Sequence, residues 1–331
     1  MLHRRQPIHF GGMSDPFGPQ EHRQQVTLRM LRVLSDIHYP TIISTKGTLF
    51  AEGEYLEILR TGNFAVQVSV SSVDENLVKQ IDVGAPGPRA LLSAAETASR
   101  SGLRVGVRIQ PVLPTRENDV IDVIHAAADA GARHVAVEHL KLPIERQYHR
   151  VDQLSTILGL DLREHYAIGS TRVGREWILP LKSRLVRMHE FRTEAHKVGV
   201  AFGAADNDLL LLSDGTCCCS AADLLGFRDF HGATYSGAAR RASATGRLTW
   251  STLEEEWTPS GSIARHVNSR SRLRGAGETP ADMKRYLRAN WNGRANGNSP
   301  AMLFGVHPTD ELDDDGMRVY YVDRAIIGTT V

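Results

Sequence analysis

Short β-like runs and helix-like stretches take turns along the chain up to about residue 142, and that alternation leaves few folds open. The β candidates are "QPIHFGG" (6–12), "PTIISTK" (40–46), "FAVQVSVSS" (64–72), "RVGVRIQPV" (104–112) and "RHVAVEHLKL" (133–142). Between them, residues 20–36 carry Val26, Met30, Leu31 and Leu34 at helical spacing. Residues 52–60 carry Tyr55, Leu56 and Leu59, and 87–101 and 118–130 are rich in Ala, Leu, Ile and Val. Alternating β and α units give a parallel sheet, either open or closed into a barrel.

Period-two alternation within the strands separates two faces. Val66, Val68 and Val70 oppose Gln67, Ser69 and Ser71, and Val105, Val107 and Ile109 oppose Gly106, Arg108 and Gln110. Ser44 lies with Lys46, and Ala136 with Glu138, opposite Val135 and Val137. Buried parallel strands are normally apolar on both faces. Each polar group left unsatisfied there costs about 1–3 kcal/mol. The pattern therefore points to a wet or ligand-filled interior lined by these groups. The alternative is a one-sided sheet whose polar face meets solvent.

Composition narrows the class. The 331 residues carry a net charge of +1, with 41% hydrophobic and 23% charged residues, which is ordinary for a globular protein. That balance gives no general argument for nucleic acid. There is no apolar run of transmembrane length and no signal-peptide pattern at "MLHRRQPIHF". The only cysteines, Cys217, Cys218 and Cys219, are adjacent. They cannot form a disulfide framework, which points to a reducing cytoplasm.

The alternation breaks near 143, and a soft boundary is expected between 143 and 170, giving a first domain over 1–150 and an extension over 151–331. Residues 176–198 read as one long helix with Pro180 near its start, and "GVAFGAAD" (199–206) as a further strand. Residues 213–246 are rich in Gly, Ser and Ala, and the tail from 259 reads as loops with short elements.

The loop after the first strand, "HFGGMSDPFGPQE", is built from glycines, a Ser-Asp pair and prolines. Together with "ISTK", "VQVSVSSVDENLVKQIDVGAPGPRALLSA" and "GLRVGVRIQPVLPTRENDV", it resembles the radical S-adenosylmethionine (SAM) enzymes, in particular the spore photoproduct lyase-like branch. The resemblance runs from about residue 8 to 142 and is specific as a set. It implies a partial (β/α)6 barrel of the radical SAM type, with the five strands above as its strands two to six. It also implies SAM and a 4Fe–4S cluster as cofactors. In that family, reduction cleaves SAM to methionine and a 5′-deoxyadenosyl radical that abstracts hydrogen from substrate.

Carried over position by position, the resemblance places Gly11, Gly12, Met13 and Ser14 in the loop that receives the methionyl amino group. Asp15 is a further acceptor, a clamp on that loop, or an Asx turn before Pro16. Lys46 matches a partner of the SAM carboxylate, Arg108 is a second candidate for it, and Ser69 and Ser71 match contacts to ribose or the methionyl group. The substrate is not specified. Nucleic acid is a partner class by analogy with the branch only, and no membrane partner is expected.

Two departures stand out. Photoproduct lyases carry a hydrogen-donating cysteine two residues before the Ser-Asp pair, where this chain has Gly12. The family's CxxxCxxC cluster motif does not occur anywhere in the sequence. The expectation is a member lacking the segment with its first strand and cluster loop. Cys217–Cys219 do not replace the motif, because neighbouring side chains in an extended segment point to opposite sides; buried structural thiols or a hydrogen-donor thiol remain the readings. "LDDDGMR" (312–318) lacks a calcium loop's spacing and reads as a solvated turn. "RHVNSRSRLRG" (265–275) reads as a basic loop, and Trp250, Trp257 and Trp291 as packing anchors. Two other functions stay open: a non-catalytic module binding a small ligand, and an unrelated (β/α) barrel enzyme with a carboxylate or phosphate ligand.

Overall fold

Each β-branched run in the first part of the chain becomes a strand beside the previous one. The computed structural model describes residues 7–12, 14–145, 149–215, 217–219, 224–226, 234–254, 280–293 and 299–327. β1 (Ile8–Phe10) is followed by α1 (Glu21–Gln24) and α2 (Val26–Asp36), then β2 (Thr41–Thr45), α3 (Gly53–Thr61) and β3 (Phe64–Ser69). Next come α4 (Glu75–Ile81), α5 (Pro88–Arg100), β4 (Arg104–Val112), α6 (Asp119–Asp129) and β5 (His134–His139). These strands pair in parallel, in the order β1-β2-β3-β4-β5. Ser44 lies beside Gln67, Ser69 beside Arg108, and Arg108 beside Ala136.

Beyond β5, a small antiparallel sheet forms from β6 (Leu142–Pro143), β7 (Thr171–Val173) and β8 (Glu176–Ile178), in the order β6-β8-β7. α7 (His149–Leu158) and α8 (Leu162–Ala167) are packed with it around Leu142, Val151, Leu162 and Tyr166. α9 (Leu181–Lys197) then leads to β9 (Ala201–Ala204), which joins the main sheet in parallel beside β5 as its sixth strand. The sheet is open, with β1 and β9 as its two edges.

Helix boundaries depart from the sequence expectation in three places, each for a local reason. Residues 20–36 divide at Gln25, whose φ of 47° breaks the helix. Glu21 caps the second piece instead, accepting from the backbone N–H groups of Thr27 and Leu28 at 3.0 and 2.9 Å. The buried face of α2 is Thr27, Leu28 and Leu31. Val26 and Met30, expected on that face, are exposed. Residues 176–198 are not one helix: 176–178 are paired in β8, and Pro180, with extended ψ, starts α9. α4 was not singled out from the sequence, although Asp74 caps it by accepting from Asn76 and Leu77.

Contacts divide the chain into two compact units. One spans Pro7–Asp206 with Cys218–Leu224, and the other holds Asn207–Cys217 and Leu225 onward. In the second, α10 (Tyr235–Ala242), β10 (Arg247–Leu248), α11 (Trp250–Glu254), α12 (Pro280–Trp291), β11 (Val306–Leu312) and β12 (Arg318–Val322) surround one apolar core. Its strands form an antiparallel sheet, β10-β12-β11, where the sequence suggested loops with short elements. Trp291 packs edge to face on Trp250 and Tyr320, with centroids 5.4 and 5.5 Å apart. Its indole N–H donates to the Arg318 carbonyl at 2.8 Å. Trp250 and Trp291 are thus packing anchors; Trp257 and the basic stretch 265–275 lie outside the described residues. The acidic 313–315 run is a turn, with Asp313 accepting from the N–H groups of Asp315 and Met317. Among the described residues, no helix is long and apolar enough to cross a membrane.

Candidate functional site

The polar sides of β2 to β5 converge, but mostly by bonding one another. Three clusters result. On β1 and β2, the His9 ring nitrogen Nε2 lies 2.7 Å from Ser44 Oγ, which donates to Gln67 Oε1 at 3.4 Å. Although the residue as a whole is exposed, desolvation of its ring, and then the charge of Arg108, lower the pKa of His9 below its ordinary value. Gln67 is wholly buried and its Nε2 has no partner. Exchanging the amide's two ends would leave its oxygen unmatched instead.

On β4 and β5, Arg108 donates to Gln110 and, at 2.6 Å, to Glu138, whose other oxygen accepts from Lys141. Of the polar groups expected to line a wet or ligand-filled interior, Arg108 and Glu138 pair with each other, and Lys141 shares the same carboxylate.

The third cluster is at the ends of β2 and β3. Lys46 Nζ donates to Asp82 Oδ1, and Ser71 Oγ donates to Asp82 Oδ2 at 3.3 Å. Lys46, Ser69, Ser71 and Asp82, with Pro86 and Leu91, line one narrow crevice, too tight as it stands to hold a water molecule. The Lys46 side chain stays 35% exposed and that of Asp82 18%, so this pair is reachable from solvent.

The glycine loop is fastened to the same strand end. Asp15 Oδ1 accepts from Thr45 Oγ1 at 2.7 Å and from the Phe17 N–H at 2.9 Å, and Oδ2 accepts from the Lys46 N–H at 2.6 Å. Asp15 is therefore both an Asx turn and a clamp across to β2. At Gly11, φ is +100° and a Cβ would lie 2.0 Å from the Ser44 carbonyl oxygen, so only glycine passes. A Cβ at Gly12 would meet nothing within 4 Å, and Ser14 is exposed. Met13 lies outside the described residues. The structure thus brings Gly11, Gly12 and Asp15 to the strand end that carries Lys46, with Ser69 and Ser71 beside it, and places Arg108 in the neighbouring cluster.

Sequence reasoning missed Asp82 and a fourth, sealed cluster. His139 and Asp206, at the ends of β5 and β9, join through Nδ1 and Oδ2 at 2.8 Å, and Arg184 of α9 donates to the same Oδ2 at 3.0 Å. All three side chains are at most 5% exposed. Burial alone would raise the Asp206 pKa, but the hydrogen bond and charge of His139, with Arg184, hold it at about 2. Their spacing, 139, 184 and 206, carries no local signal; only the parallel pairing of β5 with β9 makes them neighbours.

Cys217 is buried and Cys218 and Cys219 are half-buried. A Cβ on Gly203 would lie 2.6 Å from the Cys218 carbonyl oxygen and 2.7 Å from His134 Cε1, so glycine is what lets that segment lie against β9. Among the described residues, no group of three or more His, Cys, Asp or Glu side chains could hold a metal ion.

No family model matches the chain. Uncharacterized proteins of Mycobacterium tuberculosis and Mycobacterium bovis are 31% identical to it over 144 residues, covering 42% of this chain and 42% of each relative. The chain thus spans less than half the length of the curated relatives it matches. Among solved structures, spore photoproduct lyase complexed with dinucleoside spore photoproduct is similar at 14% identity and a TM-score of 0.42, over 58% of this chain and 57% of that one. Streptococcus suis SuiB bound to S-adenosylmethionine is similar at 13% identity and a TM-score of 0.35, over 46% and 35% of the two chains.

Proposed function

We propose that the sheet unit is a radical SAM-type partial (β/α)6 barrel of the spore photoproduct lyase-like branch, and that it holds the amino-acid end of SAM at the ends of β1, β2 and β3. The observation that carries this reading is the fastening of the Gly11–Asp15 loop to β2 beside Lys46, with Ser69 and Ser71 in the same crevice. The residues fit the ligand chemically. Backbone carbonyls of an open glycine loop accept from an ammonium, the Lys46 ammonium pairs with a carboxylate, and serine hydroxyls meet ribose oxygens. Open space at Gly12 admits such a group. SAM in this family supplies a 5′-deoxyadenosyl radical for hydrogen abstraction. The residues here bind and orient its tail. Substrate stays unassigned, with nucleic acid a candidate class by analogy, and the cysteine usage favours a reducing, cytoplasmic setting.

The 4Fe–4S cluster does not fit this chain's own residues. The three cysteines are consecutive, one of them buried, and cannot turn their three thiolates together toward three irons of one cluster. That favours a second reading, in which this chain binds SAM or a similar small ligand without radical chemistry. Calorimetric titration of the full chain with SAM tests the shared claim. Lys46→Ala should weaken binding on the order of tenfold, as for a charge-assisted hydrogen bond; unchanged affinity would remove Lys46 from the site. Anaerobic reconstitution with iron and sulfide separates the two readings. Iron–thiolate absorption at cluster stoichiometry would overturn the mismatch.

A further inference from the structure

We infer that Asp82 is a positioning residue that aims Lys46 and makes the site select ligands bearing an amino-acid tail; this rests on the proposal that the site holds SAM. A lysine ammonium ends a stem of four rotatable carbons and is strongly hydrated, so one on a strand end spends most of its freedom in water unless something holds it. Asp82 does so. One of its oxygens accepts from Lys46 Nζ and the other from Ser71 Oγ at 3.3 Å. Asp82 is itself fixed. Its N–H donates to the Val78 carbonyl at 2.8 Å, closing the last turn of α4, and its carbonyl accepts from the Ala85 N–H at 3.0 Å. α4 is pinned at its other end by the Asp74 cap.

An ammonium has three donors. Asp82 occupies one and leaves the others for a ligand that approaches from solvent, where the Lys46 side chain keeps 35% of its surface. The charge of Asp82 opposes a ligand carboxylate but attracts the ammonium and sulfonium of SAM. What carries the selectivity is the aim Asp82 gives to Lys46, which acts on a carboxylate-bearing tail and on no part of a neutral adenosyl thioether.

The test is calorimetric titration of the full chain, wild type and Asp82→Asn, with SAM and with 5′-methylthioadenosine, which keeps adenosine and sulfur but lacks the tail and the positive charge. Asp82→Asn should lower SAM affinity about fivefold, the upper range for a partly exposed ion pair, and leave 5′-methylthioadenosine affinity unchanged. If that variant melts below the assay temperature, Asp82→Glu replaces it, with a smaller loss confined to SAM. Equal losses for both ligands, or unchanged or tighter SAM binding, overturn the positioning role. A wild type that binds 5′-methylthioadenosine as tightly as SAM overturns it too, while leaving an adenosyl site. Binding of neither compound overturns the cofactor reading itself, and this inference with it.

Discussion

Two ion clusters stand at the strand ends of one sheet, and they are built from the same kinds of side chain. At β5 and β9, His139, Asp206 and Arg184 are sealed from water, with Asp206 bonded to His139 and to Arg184, and Arg184 also donating to the Leu179 carbonyl. At β2 and β3, Lys46 and Asp82 keep a third and a sixth of their side-chain surface in solvent, beside two serines and a glycine loop. Sealing turns charge into a rivet: with its partners in place it is silent, and with one removed it is ruinous. Partial exposure lowers what the pair adds to folding and leaves its donors available to something else. In the sealed cluster the strongly lowered Asp206 pKa reflects structural ion pairing.

The comparison breaks first on stability. Asp206→Ala leaves Arg184 buried without its anion and should cost about 3–5 kcal/mol, read as a lowered denaturation midpoint at unchanged slope. A loss under about 1 kcal/mol would show that the cluster is not sealed. The same group sets an acid limit. Its folded pKa of about 2 lies below the roughly 3.9 of an unfolded aspartate, so its stabilisation is present above the unfolded value and lost as pH falls toward 2. About 2–3 kcal/mol should disappear between roughly pH 5 and pH 2, and Asp206→Asn should flatten that part of the profile.

At the open cluster, Gly11→Ala forces a Cβ against the Ser44 carbonyl at a left-handed φ and should destabilise by about 1–3 kcal/mol. Gly12→Ala meets nothing and should stay within about 0.5 kcal/mol of wild type. Equal effects at the two glycines would mean that the loop is not seated as described. Smallest of all, Lys46→Ala should change stability by no more than about 1 kcal/mol, although it lowers ligand affinity. A large unfolding effect would move Lys46 from the open class to the sealed one.

The sheet was legible because period-two alternation and short separating helices are local signals. All five early strands and the run at 199–206 are paired as parallel neighbours. Polar faces were legible for the same reason, but their partners were not. Whether Arg108 faces water, a ligand or Glu138 depends on which strand lies alongside, and Asp82 reaches Lys46 across 36 residues from the end of a helix that carries no obvious motif. Of the stripe Val26, Met30, Leu31 and Leu34 expected on the inner face of α2, Leu31 is buried together with Leu28, while Val26 and Met30, which satisfy helical spacing equally well, are exposed. In the second unit, β11 and β12 carry Asp, Glu, Arg and Pro that read as loop until their antiparallel pairing is seen.

The cysteine segment beside Gly203 has a practical consequence. The missing methyl lets the Cys218 carbonyl settle onto β9, and of the three cysteines Cys217 is 6% exposed while its two neighbours are less enclosed. A small alkylating reagent should therefore modify two thiols quickly and the third slowly. The chain thus offers a spectroscopist an intrinsic attachment point for paired labels.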